Sequence, residues 1–338
     1  MSKRIVICCD GTWNTLKQPN TTNVVKMAEA VAKQDDQLVF YHPGVGTRPF
    51  ERILGGAFGF GLSRDVRSAY RFVVEHYEPG DELFFFGFSR GAYTARSTVG
   101  FIRNCGVLRR EEVARVNEAY RLYRDRRPGT HPARDQSARF RKAHAWEDVT
   151  PIRFIGVWDT VGSLGIPLSG FRLVNLVNRR WRFHDTRLTK TVSSAFQALA
   201  IDERRGPFRP AIWAPDHAPE QEREQVWFAG VHSDVGGGYA DPTLARITLL
   251  WMAERAQRCG LAFTPHAFPE LDAGAVLDPA HDSRTFFYKL LRPYVRKLGV
   301  TDTAHEFVSA KTMERNKLDP AYAPANLLEY LAAEPQFR

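Results

Sequence analysis

Gly87-Phe88-Ser89-Arg90-Gly91 sets one hydroxyl between two glycines. A serine hydroxyl is a weak nucleophile. It needs exposure, a base to take its proton, and donors for the oxyanion its attack creates. Glycines on either side permit a sharp turn that lifts the hydroxyl above a sheet edge. The flanking residues suit that turn: "ELFFF" before it is a short apolar strand, and "AYTARSTVGF" after it favours a helix. The amide of Arg90 would then face the developing oxyanion, as would the positive end of the helix. The same five residues also fit a plain strand-to-helix turn in which Ser89 caps the helix.

Further residues decide between the two. In a strand–turn–helix nucleophile site the partners follow in the order serine, acid, histidine. Asp159 ends the apolar run "IRFIGVW", and His232 follows "VWFAG". Three strand ends thus offer nucleophile, acid and base on one rim, where open α/β sheets place their sites. Taken singly, Asp159 could cap a turn at Thr160 and His232 could be a turn residue; their order favours chemistry. Asp234, just before Gly236-Gly237-Gly238, competes for the acid role. Its place beside the glycines suits loop support, and the strand-end position favours Asp159. The second oxyanion amide is expected from Gly11 or Thr12 in "VICCDGTWN", with Asp10 supporting that loop. Asp10 with Asp234 as magnesium ligands is the weaker reading. No His-and-Cys spacing suggests zinc, so no metal or cofactor is expected.

These residues need a parallel sheet to position them. "RIVICCD", "QLVFYHPG", "ELFFFGFS", "PIRFIGVWD" and "EQVWFAG" read as buried strands. "LSRDVRSAYRFVVEHY" has helical spacing, with Val66, Ala69, Tyr70, Val73 and Val74 on one face. "RGAYTARSTVGFIRNC" reads as a helix ending near Gly106, "TKTVSSAFQALAIDE" as another, and "TLARITLLWMAERAQR" as a long amphipathic one stopped by Gly260. Alternating strands and helices imply an α/β fold, α/β-hydrolase-like, with a mostly parallel sheet covered on both faces. Residues 1–338 read as one such domain. Residues 107–150 form a basic helical insertion, and 164–188 are a lid candidate in which Phe171, Val174, Val177 and Trp181 share a helix face. The last 70 residues, broken by prolines, read as an irregular wrap.

The 338 residues are 43% hydrophobic and 25% charged, as in a globular chain. No apolar run approaches the roughly 20 residues that span a bilayer, and the N-terminus lacks the features of a secretory signal. Four cysteines form no ligand pattern; Cys8 and Cys9, adjacent on a strand, point to opposite faces. A cytoplasmic setting is the default. The net charge of +9, concentrated as arginine in 103–142, would suit anionic lipid or an acidic partner, but reads first as a solvated helical surface. No nucleic-acid motif accompanies it.

"RIVICCDGTWN", "FFFGFSRGAYTAR", "IGVWDTVGSLG", "LAIDERRGPFRP" and "VWFAGVHSDVGGGY" together resemble the catalytic domain of type VI secretion phospholipase effectors. The likeness runs from about residue 3 to 260 and is expected to continue to the end of the sequence. It implies an α/β-hydrolase fold and a serine esterase acting on glycerophospholipids, with Ser89, Asp159 and His232 as the triad. It also leaves export open, since that family's route needs no cleaved signal. Such effectors tend to be longer, with membrane-anchoring segments; no separate anchor stands out here. The expected function is hydrolysis of a carboxylic ester, a lipid or phospholipid ester by the resemblance, through an acyl-enzyme, with transient contact to a membrane surface. The alternatives are a non-catalytic binding module on the same scaffold, and acyl transfer. "AFGFGL" (57–62) and 164–183 are candidate acyl-pocket segments. Arg90 and Arg96 are candidates for a phosphate, or for surface salt bridges.

Overall fold

The computed structural model describes residues 2–11, 20–34, 36–44, 57–162, 187–216, 218–272 and 274–333, apart from the side chains of 57–60, 286 and 287. Seven short runs, most of them rich in β-branched and aromatic residues, become strands: β1 (Arg4–Cys9), β2 (Gln37–His42), β3 (Glu82–Phe88), β4 (Ile152–Trp158), β5 (Val192–Ala200), β6 (Glu222–Phe228) and β7 (Glu306–Val308). They pair in the order β2-β1-β3-β4-β5-β6-β7, every pair parallel. A parallel sheet is buried on both faces, so its strands are apolar on both sides. β1 shows this residue by residue. Ile5, Ile7 and Cys9 enter the core on one face, and Val6 and Cys8 enter the core on the other.

Helices α1 (Asn23–Ala30), α2 (Ala57–His76) and α3 (Arg90–Cys105) follow β1, β2 and β3. α2 and α3 cover the first face; Val66, Ala69, Tyr70, Val73 and Val74 of α2 all join its core, as their spacing implies. The segment 107–150 adds α4 (Val116–Arg124) and α5 (Asp135–His144), and Val107, Leu108, Val116 and Ala119 extend the same core. α6 (His232–Gly236) and α7 (Thr243–Arg258) follow β6. α7 joins α1 on the second face, through Leu244, Met252, Val24 and Met27.

Residues 192–200 are a strand near the middle of the sheet, not the helix their composition suggested. Alanine, glutamine and leucine favour helices only weakly, and backbone pairing with β4 and β6 on both sides outweighs that preference. The one polar side chain at the centre, Gln197, is satisfied by Thr160 and Gln225. The C-terminal stretch is also more regular than expected. It supplies β7, α8 (Phe286–Lys289), α9 (Ala310–Leu318) and α10 (Ala325–Ala332). Leu298, Val308, Leu327 and Tyr330 close a third core over Trp227. The lid candidate, apart from its last two residues, lies outside the described residues, as does its proposed helix face. No helix among the described residues is long and apolar enough to cross a membrane.

The order of strand addition reverses between β1 and β3, since β2 lies on one side of β1 and β3 on the other. Open α/β sheets leave a crevice at such a point, outside the carboxyl ends of the strands. Ser89 leaves β3 there, beside Asp10 at the end of β1.

Candidate active site

Ser89 joins β3 to α3 with φ 57° and ψ −120°, a left-handed backbone that a serine adopts only under strain of about 1–3 kcal/mol. The two glycines make that turn possible by leaving space. A Cβ on Gly87 would stand 2.7 Å from the Gly91 carbonyl oxygen, and one on Gly91 would collide with the carbonyls of Cys9 and Asp10. α3 therefore starts hard against the end of β1. Its first residue, Arg90, brings its amide to the turn. Burial lowers the pKa of the Arg90 side chain to about 10, against a raising effect of Tyr288.

His232 opens α6, and its Nε2 lies 2.8 Å from Ser89 Oγ. Its Nδ1 lies 2.5 Å from Asp159 Oδ2. A carboxylate only accepts, so Nδ1 carries the proton and Nε2 is left to accept from the hydroxyl. Phe88 and Phe208 pack on the ring, with centroids 4.6 and 4.9 Å away. The His232 amide donates to Glu203 Oε2 at 3.3 Å, and Glu203 is itself gripped by Arg205 at 2.8 and 2.9 Å. All three members of the chain Ser89–His232–Asp159 are buried.

Asp159 follows β4 with φ 40°, a second strained backbone in the same site. Its Oδ1 accepts from the Ala200 amide at 3.1 Å and from Arg296 Nη1 at 2.6 Å; its Oδ2 accepts from Arg296 Nη2 at 3.0 Å. The same guanidinium donates to the carbonyls of Ala200 and Phe208 at 2.8 and 2.6 Å, and Arg296 is 1% exposed. Burial alone would raise the Asp159 pKa. The Arg296 charge and the hydrogen bonds from His232 and Arg296 outweigh burial and hold the carboxyl well below the ordinary range. Burial lowers the His232 pKa, and Asp159 opposes that only in part. The chain is thus poised with an ionised acid and a neutral imidazole. In that state it can take a proton from the hydroxyl.

The other sequence candidates lie elsewhere. Asp234 accepts from the Val231 amide at 2.9 Å, and from the His281 amide and Nδ1 at 3.1 and 2.6 Å. Asp10 accepts from Gly11 N at 2.6 Å and from the hydroxyls of Thr22 and Tyr41, each at 2.8 Å. The Gly11 amide is therefore committed to Asp10, which counts against it as an oxyanion donor; Thr12 lies outside the described residues. Asp10 and Asp234 engage different partners, and among the described residues no three His, Cys, Asp or Glu side chains gather as metal ligands. Arg96 is buried rather than on a helix surface, its guanidinium 4.8 Å over the Trp213 ring and donating to the Ala211 carbonyl.

Sequence reasoning missed Arg296 and Glu203. Nothing local marks Arg296, whose carboxylate partner is 137 residues away. Glu203 did carry a signal. It stands two residues past the apolar run "FQALAI", and reading that run as a strand would have put Glu203 near the rim with Asp159.

A family model described as "T6SS, Phospholipase effector Tle1-like, catalytic domain" matches residues 3–255, which leaves Arg296 outside the matched stretch. An uncharacterized protein of Saccharomyces cerevisiae is 28% identical over 235 residues, 63% of this chain and 33% of that protein. The chain thus spans about a third of the length of that curated relative. Two solved structures are similar. An uncharacterized protein from Pseudomonas aeruginosa has a TM-score of 0.48 at 17% identity, covering 80% of this chain and 48% of that one. The Tle1 effector, solved bound to the VgrG spike of the type 6 secretion system, has a TM-score of 0.41 at 18% identity, covering 72% and 52%. Both superpositions are loose. The match over residues 3–255 spans well over half of the chain, which belongs to the T6SS phospholipase effector Tle1-like catalytic domain family.

Proposed function

We propose that the chain is a serine hydrolase that cleaves a carboxylic ester of a lipid, with phospholipid the substrate class that family membership favours. The observation that carries this reading is the continuous chain from Ser89 Oγ through the imidazole to a buried, ionised carboxylate. His232 takes the Ser89 proton as Oγ attacks the ester carbonyl. Asp159 fixes the tautomer and stabilises the imidazolium. The Arg90 amide donates to the oxyanion. His232 then protonates the leaving alcohol, and an acyl-Ser89 ester remains. Water, deprotonated by His232, attacks that ester, and collapse releases the carboxylic acid and restores the serine hydroxyl.

A fluorophosphonate probe tests the proposal directly. The wild-type chain is expected to label and Ser89→Ala to remain unlabelled. On a panel of glycerophospholipid and soluble esters, Ser89→Ala is expected to lower kcat by a factor of about 10⁴ or more. Absence of labelling in both forms would instead favour a binding module. The Asp159 role has its own test: Asp159→Asn is expected to cost about 10⁴ in kcat by presenting the wrong tautomer, whereas Asp234→Asn should cost far less. The opposite ranking would reassign the acid.

A further inference from the structure

Away from Ser89, the flank of α3 borders a cavity of about 610 Å³. Five separate parts of the chain wall it: α3, the end of α4 with the loop after it, β4 at Ile155, residues 187–190, and the stretch near Trp213. Ser89, Asp159 and His232 do not line it. Its size falls within the range of about 300–1,000 Å³ typical of small-molecule sites.

The lining is cationic. Arg96, Arg103, Arg126, Arg127, Arg187 and Lys190 contribute to it, against the carboxylates of Asp125 and Asp216. Both carboxylates already have cations. Arg127 holds Asp125 through Nε at 2.8 Å and Nη2 at 2.5 Å, and Arg187 stands 3.9 Å from Asp216. Six cationic side chains thus line the cavity against two carboxylates, each of which already faces an arginine.

Arg103 is the sharpest feature. Its Nη1 is buried and has no hydrogen-bond acceptor among the described residues. Burial and the neighbouring Arg141 both disfavour its charge, with Asp148 opposing. Arg141 cannot relieve it, being a donor itself and bound to Asp148 and to the carbonyls of Asn104 and Pro132. A buried guanidinium nitrogen without an acceptor is a costly arrangement unless an anion completes it. The remaining surface is different in kind: Val99, Ile155, Leu188 and Trp213 give the cavity an apolar side.

We propose that this cavity binds the phosphate of a small amphiphilic phosphoester, with the phosphate between Arg103 and Lys190 and the apolar part toward Val99 and Leu188. A planar guanidinium matches phosphate oxygens in pairs, and an ammonium adds a point charge. The site does not depend on Ser89 chemistry. Arg126 and Arg127 of the basic insertion line the same cavity.

Calorimetric titration of the full chain carrying Ser89→Ala, which blocks turnover, tests the site. The ligands are inorganic phosphate, dihexanoyl phosphatidate below its micelle concentration, and phosphatidylcholine vesicles with and without phosphatidate. Saturable binding of one dihexanoyl phosphatidate per chain is expected. Arg103→Gln and Lys190→Gln, each added to Ser89→Ala, should weaken it about tenfold or more. Lys190 is exposed, so its variant keeps the test open should Arg103→Gln fail to fold. Competition by inorganic phosphate would assign a soluble phosphoester as the source. Binding confined to the lipid forms would assign a headgroup. No saturable binding of dihexanoyl phosphatidate, or affinity unchanged by Lys190→Gln and by a folded Arg103→Gln, overturns the proposal.

Discussion

Arg296 donates four hydrogen bonds, two to Asp159 and two to backbone carbonyls. That shared carboxylate has a consequence for the histidine. A carboxylate divided between a guanidinium and an imidazole attracts the imidazolium less than one facing the imidazole alone, so His232 stays neutral at lower pH. Replacing Arg296 by methionine should therefore raise the His232 pKa. The acid limb of the kcat/KM profile would move upward, because only the neutral ring can take the Ser89 proton. It should also reduce kcat by about 10–100-fold, since a carboxylate that drifts by an ångström no longer fixes the ring. Arg296→Lys keeps the charge without the fork, and should restore the position of the acid limb more fully than it restores kcat. A variant that lost yield but kept the wild-type pH profile would show Arg296 to be merely structural.

At the scale of elements, the site is the junction of β3 with α3 set against the end of β1. Gly91 is where the three meet. Gly91→Ala would drive a methyl into the Cys9 and Asp10 carbonyls, and backbone cannot yield as a flexible side chain does. A loss of about 1–3 kcal/mol or more is expected, read as a lowered thermal midpoint, with loss of fluorophosphonate labelling because Ser89 moves. An unaltered midpoint would mean that α3 does not dock as described. This junction was legible in the sequence because its information is local: two glycines, a serine, an apolar run before and helix formers after. Asp159 and His232 were legible for a related reason, since each closes an apolar run. β5 was not, because its alanines and glutamine suit a helix in isolation and only its neighbours in the sheet make it a strand. That one misreading hid Glu203 as well. Arg296 was hidden for a different reason: its function arises from a contact across the fold, and a chain segment without regular spacing carries no trace of it.

Across the whole molecule, the stretch beyond the family match completes what precedes it. β7 extends the sheet beside β6, and Arg296 reaches the buried acid. The resulting buried groups give folding a particular dependence on pH. His232 has a folded pKa below its ordinary value of about 6.5. As pH falls through 6.5, the unfolded chain takes a proton that the folded chain refuses, so stability falls. His42, lowered chiefly by burial with the Pro43 carbonyl opposing, adds a contribution of the same sign. Below about pH 4 a second loss follows. Although burial alone would raise them, Asp159 and Glu203 are held below their ordinary values by their arginine partners. Their contribution is present above the unfolded pKa and is lost as the folded groups are protonated. Asp202 works the other way: burial raises its pKa, so its contribution is present below its unfolded pKa of about 4 and is lost as pH rises through the folded value. Its gain on acidification is complete by about pH 4, so it offsets part of the first decline and none of the second. Urea unfolding between pH 8 and 4 should therefore show a midpoint that begins to fall near 6.5. His232 adds at most about 1.4 kcal/mol per pH unit for its single proton. His232→Gln should remove its share of that first decline and leave the share of His42. If the variant and the wild-type chain declined in parallel between pH 6.5 and 5, the imidazole would not be held neutral by burial, and its readiness to act as a base near neutrality would lose its physical cause.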